Sequence, residues 1–376
     1  MKLKIEFEEL RKGVAALNKA ANKTQNMLVK MKADNDMLIL TAIGTVGVKV
    51  SIPAKITESG DFITSFSDLN IVSIRKCIGD CSIVSTENNT MLIKYKGGMA
   101  KTVLKKVDDV FIDFPEPSDK SQKIALPMAT LKSIAKTVIF ASEDNPSSNL
   151  HSLKMDILDD EDGLVKLVVT ACDGKSLAVR TAYAAKNGDY TGTVLLLPEN
   201  VKTAIDVITD TDEEVILTFD KDKVFLQQDG RALSLRVLDR SFPDMEGLLK
   251  KRNETTFDAE FSKQEFTESL NCALYLQNTQ KRTGFDSSVV ISFNEDNVSV
   301  GCINTAEFKE DISAEIKGET PSRMYFNTAL LKEIVSVYPS ETLKLNGTNE
   351  ISPLWLCSGN DDEYIFCVLP RACNHN

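Results

Sequence analysis

One construction occurs twice in this chain in nearly the same register, and that repetition restricts the possible folds more than any single motif does. Leu164 to Val169 alternates as a strand. Thr170-Ala171-Cys172-Asp173-Gly174-Lys175-Ser176-Leu177-Ala178-Val179-Arg180 then turns at Asp-Gly, a pair that tolerates positive φ, and resumes an extended pattern. About 130 residues earlier Leu38-Ile39-Leu40-Thr41-Ala42-Ile43-Gly44 precedes Val48-Lys49-Val50-Ser51-Ile52 with the same strand, Thr-Ala step, glycine turn and returning strand. A chain that repeats at this spacing is built from copies of one supersecondary unit.

Helix openings repeat with the strands. Phe62 to Leu69 opens a helix predicted through Ile78, Val194 to Val201 one through Ile208, and Met324 to Leu331 one through Val337. Each is a short apolar strand, a polar cap and an apolar stripe of period 3.6. A second helix recurs earlier in each unit, over Phe7 to Ala21, Pro127 to Phe140 and Ser262 to Leu276. In the middle one, Leu131, Ile134, Ala135 and Val138 share a face opposite Lys132 and Lys136. Breaks fall at Asp113-Phe114-Pro115-Glu116-Pro117-Ser118-Asp119-Lys120 and from Ser241-Phe242-Pro243-Asp244 to Asn253. The reading is three α+β domains, 1–118, 119–245 and 250–376, each with two helices packed on antiparallel sheets.

Several functional classes are excluded on composition and spacing. With 376 residues, 42% hydrophobic and 26% charged, the chain can bury several cores. No apolar run reaches the length of a membrane span, and Met1-Lys2-Leu3-Lys4-Ile5-Glu6-Phe7 lacks the apolar core of a signal peptide, so the expected compartment is the cytoplasm. Eight cysteines sit mostly in apolar patterns and are expected reduced; with only His151 and His375 no zinc set is completed. Gly174-Lys175-Ser176 echoes a phosphate-binding loop, but Val169 stands where that loop requires glycine. Asp159-Asp160-Glu161-Asp162 lacks the alternation of a calcium loop. No cofactor, metal or catalytic constellation is expected.

A net charge of -11 argues against a surface that binds nucleic acid everywhere. The charges are nevertheless segregated. Lys12, Lys19, Lys23, Arg75, Lys76, Lys132, Lys136, Lys202, Lys281, Arg282 and Lys332 lie on the predicted helices or near their ends, whereas many acids lie in turns between strands. Basic helix faces set apart from acidic turns would hold a polyanion without reading its sequence. Glu265 and Glu268 dilute the pattern in the third unit, and the segment Glu143 to Asn149 is acidic.

Five segments in order resemble the bacterial DNA polymerase III β subunit family, the sliding clamps. They are Thr170 to Ala178, Phe242-Pro243-Asp244, Phe326-Asn327 to Leu331, Ile351-Ser352-Pro353-Leu354 and Tyr364-Ile365-Phe366-Cys367-Val368-Leu369-Pro370-Arg371. The resemblance covers the whole chain. It implies a head-to-tail homodimer of three clamp domains per copy, closed around duplex DNA with helices lining the hole and sheets continuing across the joints. It implies no chemistry: the ring confers processivity on the replicative polymerase and tethers other replication and repair proteins, the clamp loader among them.

Carried over by position, the family's peptide pocket between the second and third domains would be walled by Leu150, Cys172, Gly174, Lys175, Ser176, Leu177, Pro243, Leu248, Pro353, Cys367, Leu369, Pro370 and Arg371. Apolar side chains there would anchor a peptide, and the turn would leave backbone groups free to pair with it. At the subunit joint, Leu104 and Val107 would meet Tyr275 and Leu276. Ser176 and Gly247 stand where the family favours Arg, and the tail Ala372 to Asn376 runs past its usual end. Two other readings stay open: a repeat-built scaffold that keeps the pocket without encircling DNA, and a nucleotide-processing enzyme.

Overall fold

The computed structural model describes residues 1–21, 27–86, 88–104, 111–140, 148–208, 211, 213–303, 308–358 and 363–372. Its contacts divide into two compact units. One comprises Met1–Ala135, Ile157–Val165 and Ala184–Asp239; the other comprises Lys136–Asp156, Lys166–Tyr183 and Arg240–Asn376.

The first unit holds two antiparallel sheets. In one, the neighbours run Lys55–Glu58, Lys2–Glu6, Asp80–Thr86, Thr90–Tyr95 and Gly98–Val103. In the other, they run Gln122–Leu126, Val215–Phe219, Lys223–Gln228, Arg231–Arg236, Val46–Pro53, Met37–Ile43, Leu28–Asp34 and Gly60–Ser65. The helix Phe7–Ala21 buries Phe7, Leu10, Val14 and Leu17 completely, the spacing of one helical face, and packs beside the helix Pro198–Val207. Gly13 faces the strand Val46–Pro53, where a Cβ would stand 2.6 Å from Ile52 Cδ1 and would displace that methyl.

The second unit is built on a sheet whose successive neighbours include Leu164–Cys172, Ser176–Ala185, Tyr364–Val368, Leu354–Ser358, Thr342–Gly347, Phe257–Ser262, Lys309–Gly318, Asn297–Cys302, Ser288–Phe293 and Met324–Asn327. Against it pack the helices Lys263–Thr279 and Thr328–Val337. Ser262 Oγ accepts the Glu265 N–H and Asn327 Oδ1 accepts the Leu330 N–H, so each helix starts where a side chain satisfies an orphan donor.

One predicted helix is broken. Instead of running to Ile78, it splits into Phe66–Leu69 and Ile71–Ile74, with Arg75 extended. Asn70 is the cause: its carbonyl accepts from the Ser73 N–H and hydroxyl, and its side-chain oxygen accepts from the same hydroxyl, a local network that competes with helix propagation. Ile74 and Ile78 are left 75% and 91% exposed.

Candidate functional site

The hairpin at Asp173-Gly174 is held by its own side chains. Gly174 sits at φ 81°, which only glycine adopts readily. Asp173 Oδ1 accepts the N–H groups of Lys175 (2.8 Å) and Ser176 (2.6 Å) and the Ser176 hydroxyl (2.9 Å). The Gly174 N–H points at Cys172 Sγ, 3.3 Å away. These bonds narrow one expectation from sequence: the N–H groups of the tip are satisfied within the turn, so pairing with an incoming extended chain would fall to the tip's carbonyls. The buried Ser176, where a longer residue could reach outward, serves the turn.

Beneath the tip, strand register assembles an apolar floor. Leu177 faces Cys367, which faces Trp355 on its other side; two residues along, Val179 faces Ile365, which faces Cys357. Alternate residues share a sheet face, so these rows stack side by side. Cys172, Leu177, Val179, Trp355, Ile365 and Cys367 form one buried cluster. The thiols are apolar filling: burial pushes Cys367 up to about 12, with Cys172 and Cys357 nearby adding to the shift, and burial likewise raises Cys172.

A strap covers part of this floor. Phe242, Met245, Leu248 and Leu249 pack on the cluster half-buried, the last two from the one-turn helix Glu246–Lys250. Asp244 Oδ1 accepts the Glu246 N–H at 2.9 Å to start that turn. Leu150 leans over the tip, its Cδ1 3.8 Å from where a Gly174 Cβ would lie. Leu369 is 41% exposed, and its N–H bonds the Lys175 carbonyl at 2.8 Å. An apolar floor with an exposed apolar rim can take an apolar side chain by burial, about 1.5–3 kcal/mol per side chain.

Of the pocket residues expected from sequence, Leu150, Cys172, Leu177, Leu248 and Cys367 meet in this cluster. Gly174, Lys175, Ser176 and Leu369 form its tip and rim. Pro243 is exposed on the strap, and Pro353 leads into the strand of Trp355. Arg371 departs from the expectation. Its guanidinium donates to the Gly284 carbonyl and, at 3.3 and 2.8 Å, to the Ser287 and Ser288 hydroxyls, and its N–H bonds the Tyr325 carbonyl. It anchors the end of the chain, and Pro370 lies between that anchor and the rim. Val179, Trp355, Ile365, Phe242, Met245 and Leu249 were missed. Their signal was their place, two residues or one strand away from residues already chosen.

The basic residues are less free than their sequence positions suggest. Lys12 pairs with Glu9 at 2.7 Å, and Arg282 lies 3.9 Å from Asp286. Lys19 donates to the Asp206 carbonyl at the end of Pro198–Val207, where a cation complements the helix dipole. Arg75, Lys76, Lys132, Lys136, Lys202 and Lys281 are exposed, and Lys332 is half-buried. Lys23 and most of the segment 143–149 lie outside the described residues, as do Val107 and residues 373–376.

At the expected joint, Leu104 is a correction. It is only 5% exposed, because the end of its strand turns it into the core; the outward apolar residues there are Met99 and Val103. Tyr275 is 70% exposed, and Leu276 beside it is half-buried.

Comparison with known proteins gives this arrangement a context. Residues 125–244 match the family model of the DNA polymerase III beta subunit, central domain. The chain is 22% identical over 329 residues to the beta sliding clamp of Chlamydia pneumoniae, covering 86% of each. Among solved structures it is similar to the DNA polymerase sliding clamp of Bacillus subtilis, with a TM-score of 0.87, 18% identity and 99% of each chain covered. It is also similar to the beta subunit from DNA polymerase of Streptococcus pyogenes, with a TM-score of 0.84 and 20% identity over 99% of this chain and 100% of that one.

Proposed function

From a chain that carries a DNA polymerase III beta subunit central domain within the sliding-clamp fold, we propose a processivity factor that acts by topology. Two copies close head to tail into a ring around duplex DNA in the cytoplasm. The ring performs no catalysis; it holds the replicative polymerase, the clamp loader and other replication and repair proteins by linear peptides seated on the cluster under Gly174. Each copy contributes the three repeats 1–118, 119–245 and 250–376.

The observation that carries this reading is how strands are added from one repeat to the next. In the first unit, Arg231–Leu235 pairs antiparallel with Val46–Val50. In the second, Tyr364–Val368 pairs antiparallel with Ser176–Arg180. Each time the last strand of one repeat joins the strand after the preceding repeat's hairpin. Among the described residues the series leaves over Gly98–Val103, paired on one side, and the segment Lys309–Ser313, paired with Asn297–Gly301. Such edges invite a strand from another chain. They complete each other when a second copy arrives head to tail.

Repetition also sets a register for this joint. Lys4 pairs with Lys55 and Glu260 with Glu315, each two residues before its strand meets a helix, so Val50 and Glu310 correspond. Gly98 and Arg231 both follow two-residue turns. Arg231 faces Val50, and the same rule carried to the joint would put Gly98 of the partner subunit opposite Glu310. Exposed Met99, Val103, Ile74 and Ile78 on one side and Tyr275 on the other supply apolar area to cover.

Encirclement makes retention independent of a tight grip, so a few exposed lysines suffice for screened, sequence-blind contact. The test is loading on a nicked circle. The protein stays bound in high salt and is lost when the circle is cut; equal loss from circle and linear DNA would refute encirclement and favour a scaffold that only keeps the cleft.

A further inference from the structure

We propose that the first unit carries a second linear-peptide site, between its first and second repeats, for an extended segment with an apolar anchor beside a carboxylate. The class of occupant rests on the peptide reading of the cleft under Gly174; the cavity and its charges do not.

A cavity of about 820 Å³ opens there, lined by Ile43, Ile112, Pro115, Lys223, Arg236 and Val237 among others. Its construction repeats that of the cleft in the second unit. A hairpin turn precedes the strand that accepts the next repeat's last strand, at Val46–Pro53 here and at Ser176–Ala185 there. A strap with the same sequence logic crosses beside it: Phe114-Pro115-Glu116 matches Phe242-Pro243-Asp244. Phe114 is half-buried like Phe242, with its ring 6.4 Å from that of Phe225 and Lys49 Nζ 5.6 Å above it. A Cβ on Gly47 would stand 3.6 Å from the Phe114 ring, ordinary contact distance, so the strap lies against this turn.

Two differences say what the site takes. The second strap runs into the helix Glu246–Lys250, whose leucines cover the floor; among the described residues the first strap has no such helix, and Ile112 is left 73% exposed. Moreover, Lys223 and Arg236 are directly opposed partners in the ladder. Like charges so placed repel, and neither has a carboxylate within ion-pair distance among the described residues. Asp220, whose oxygens accept the Ser118 and Lys221 N–H groups, acts on Lys223 through its field without forming an ion pair with it. Asp113 is held by Lys30 at 2.7 Å. A ligand carboxylate between Lys223 and Arg236 would relieve the repulsion, while Ile43, Ile112 and Val237 receive the apolar side chain. Asp222 and Asp239 on the same wall disfavour a longer acidic run and orient the segment.

The experiment uses the full chain with ¹³C-labelled isoleucine δ-methyl groups. Ile43 and Ile112 report this site, and Ile365 reports the floor under Gly174. The probe is a capped hexapeptide carrying one Leu-Phe pair flanked by single aspartates. Saturable shifts at Ile43 and Ile112 are expected, weakened about tenfold in Lys223→Gln/Arg236→Gln with Ile365 unaffected. Both substituted side chains reach solvent, so the variant keeps its fold, checked by unchanged methyl spectra elsewhere. Shifts at Ile365 alone overturn this site and leave the other standing. Shifts at Ile43 and Ile112 alone support this site and overturn the other, and shifts at neither overturn both. Equal affinity in the double variant, or shifts at Ile43 and Ile112 with a thymidine dodecamer but not with the peptide, also overturns the proposal.

Discussion

Replacing Met99 by proline tests ring closure through a single atom. The Leu104 N–H donates to the Asn89 carbonyl at 2.8 Å in the ladder between Gly98–Val103 and Thr90–Tyr95. Hydrogen-bonding direction alternates along an antiparallel strand. Thr102, Ala100 and Gly98 therefore bond inward like Leu104, and Met99, Lys101 and Val103 present their backbone groups to the open edge. On the other side, the Ala314 N–H donates to the Asp296 carbonyl, so Lys309, Asp311 and Ser313 face outward. In the proposed register Met99 of one copy opposes Lys309 of the other, and both face the joint. Proline at 99 deletes a donor that the isolated chain does not use, on an edge where proline is tolerated. One net hydrogen bond contributes about 0.5–1.5 kcal/mol, and the proposed ring has two joints, so the lost bonds alone weaken closure by about 1–3 kcal/mol, to which the lost Met99 side chain adds. That is about a 5- to 150-fold rise in the dimer dissociation constant, measured by sedimentation equilibrium with the 41.5 kDa chain. The melting temperature of the dilute monomer stays unchanged. Ala100→Pro is the control, since it removes an inward bond and lowers that melting temperature. If Met99→Pro left the dimer constant unmoved, or lowered monomer stability as much as Ala100→Pro does, the joint would lie elsewhere.

Other outcomes follow from local geometry. Leu248→Ala removes part of the strap from the cluster and weakens binding of a Leu-Phe peptide about tenfold by fluorescence anisotropy; unchanged affinity would take the strap out of the site. Gly318→Ala costs more than about 2 kcal/mol in a denaturant titration, because φ is 86° and the new Cβ would lie 2.0 Å from the Thr256 carbonyl oxygen; an unchanged midpoint would contradict that crowding. Iodoacetamide at pH 8 labels the exposed Cys272 and spares Cys81 and Cys367, whose thiols burial pushes up to about 12. Comparable labelling by mass spectrometry would mean that the buried strands open readily. Burial acts to raise the Asp220 carboxyl, but N–H groups of Ser118 and Lys221 outweigh it and hold the pKa below the ordinary 3.8. Its contribution is therefore full above 3.8 and is lost as pH falls through the lowered value, so Asp220→Asn flattens the acid limb of the stability curve; an acid limb identical to that of the parent would discount it.

What the sequence revealed and what it hid divide along the range of the interactions. The helices at Phe7–Ala21 and Lys263–Thr279 and the turn at Gly174 were legible because each is set by neighbours within a few residues: an apolar face, a serine cap, a glycine at positive φ. The floor was only half legible. Trp355 and Val179 join Leu177 through strand pairing with Cys367 and Ile365 nearly two hundred residues away, and nothing local states that register. Leu104 and Arg371 show the complementary failure, since a position can match while its side chain points into the core or ties down a chain end. The same contrast bears on the two clefts. Both have a turn, a strap and an added strand in the backbone, but their side chains differ. Apolar rows and thiols line one, and an opposed Lys223 and Arg236 line the other. Repetition thus supplies the positions at which segments can dock, and only the chemistry at each position decides what docks.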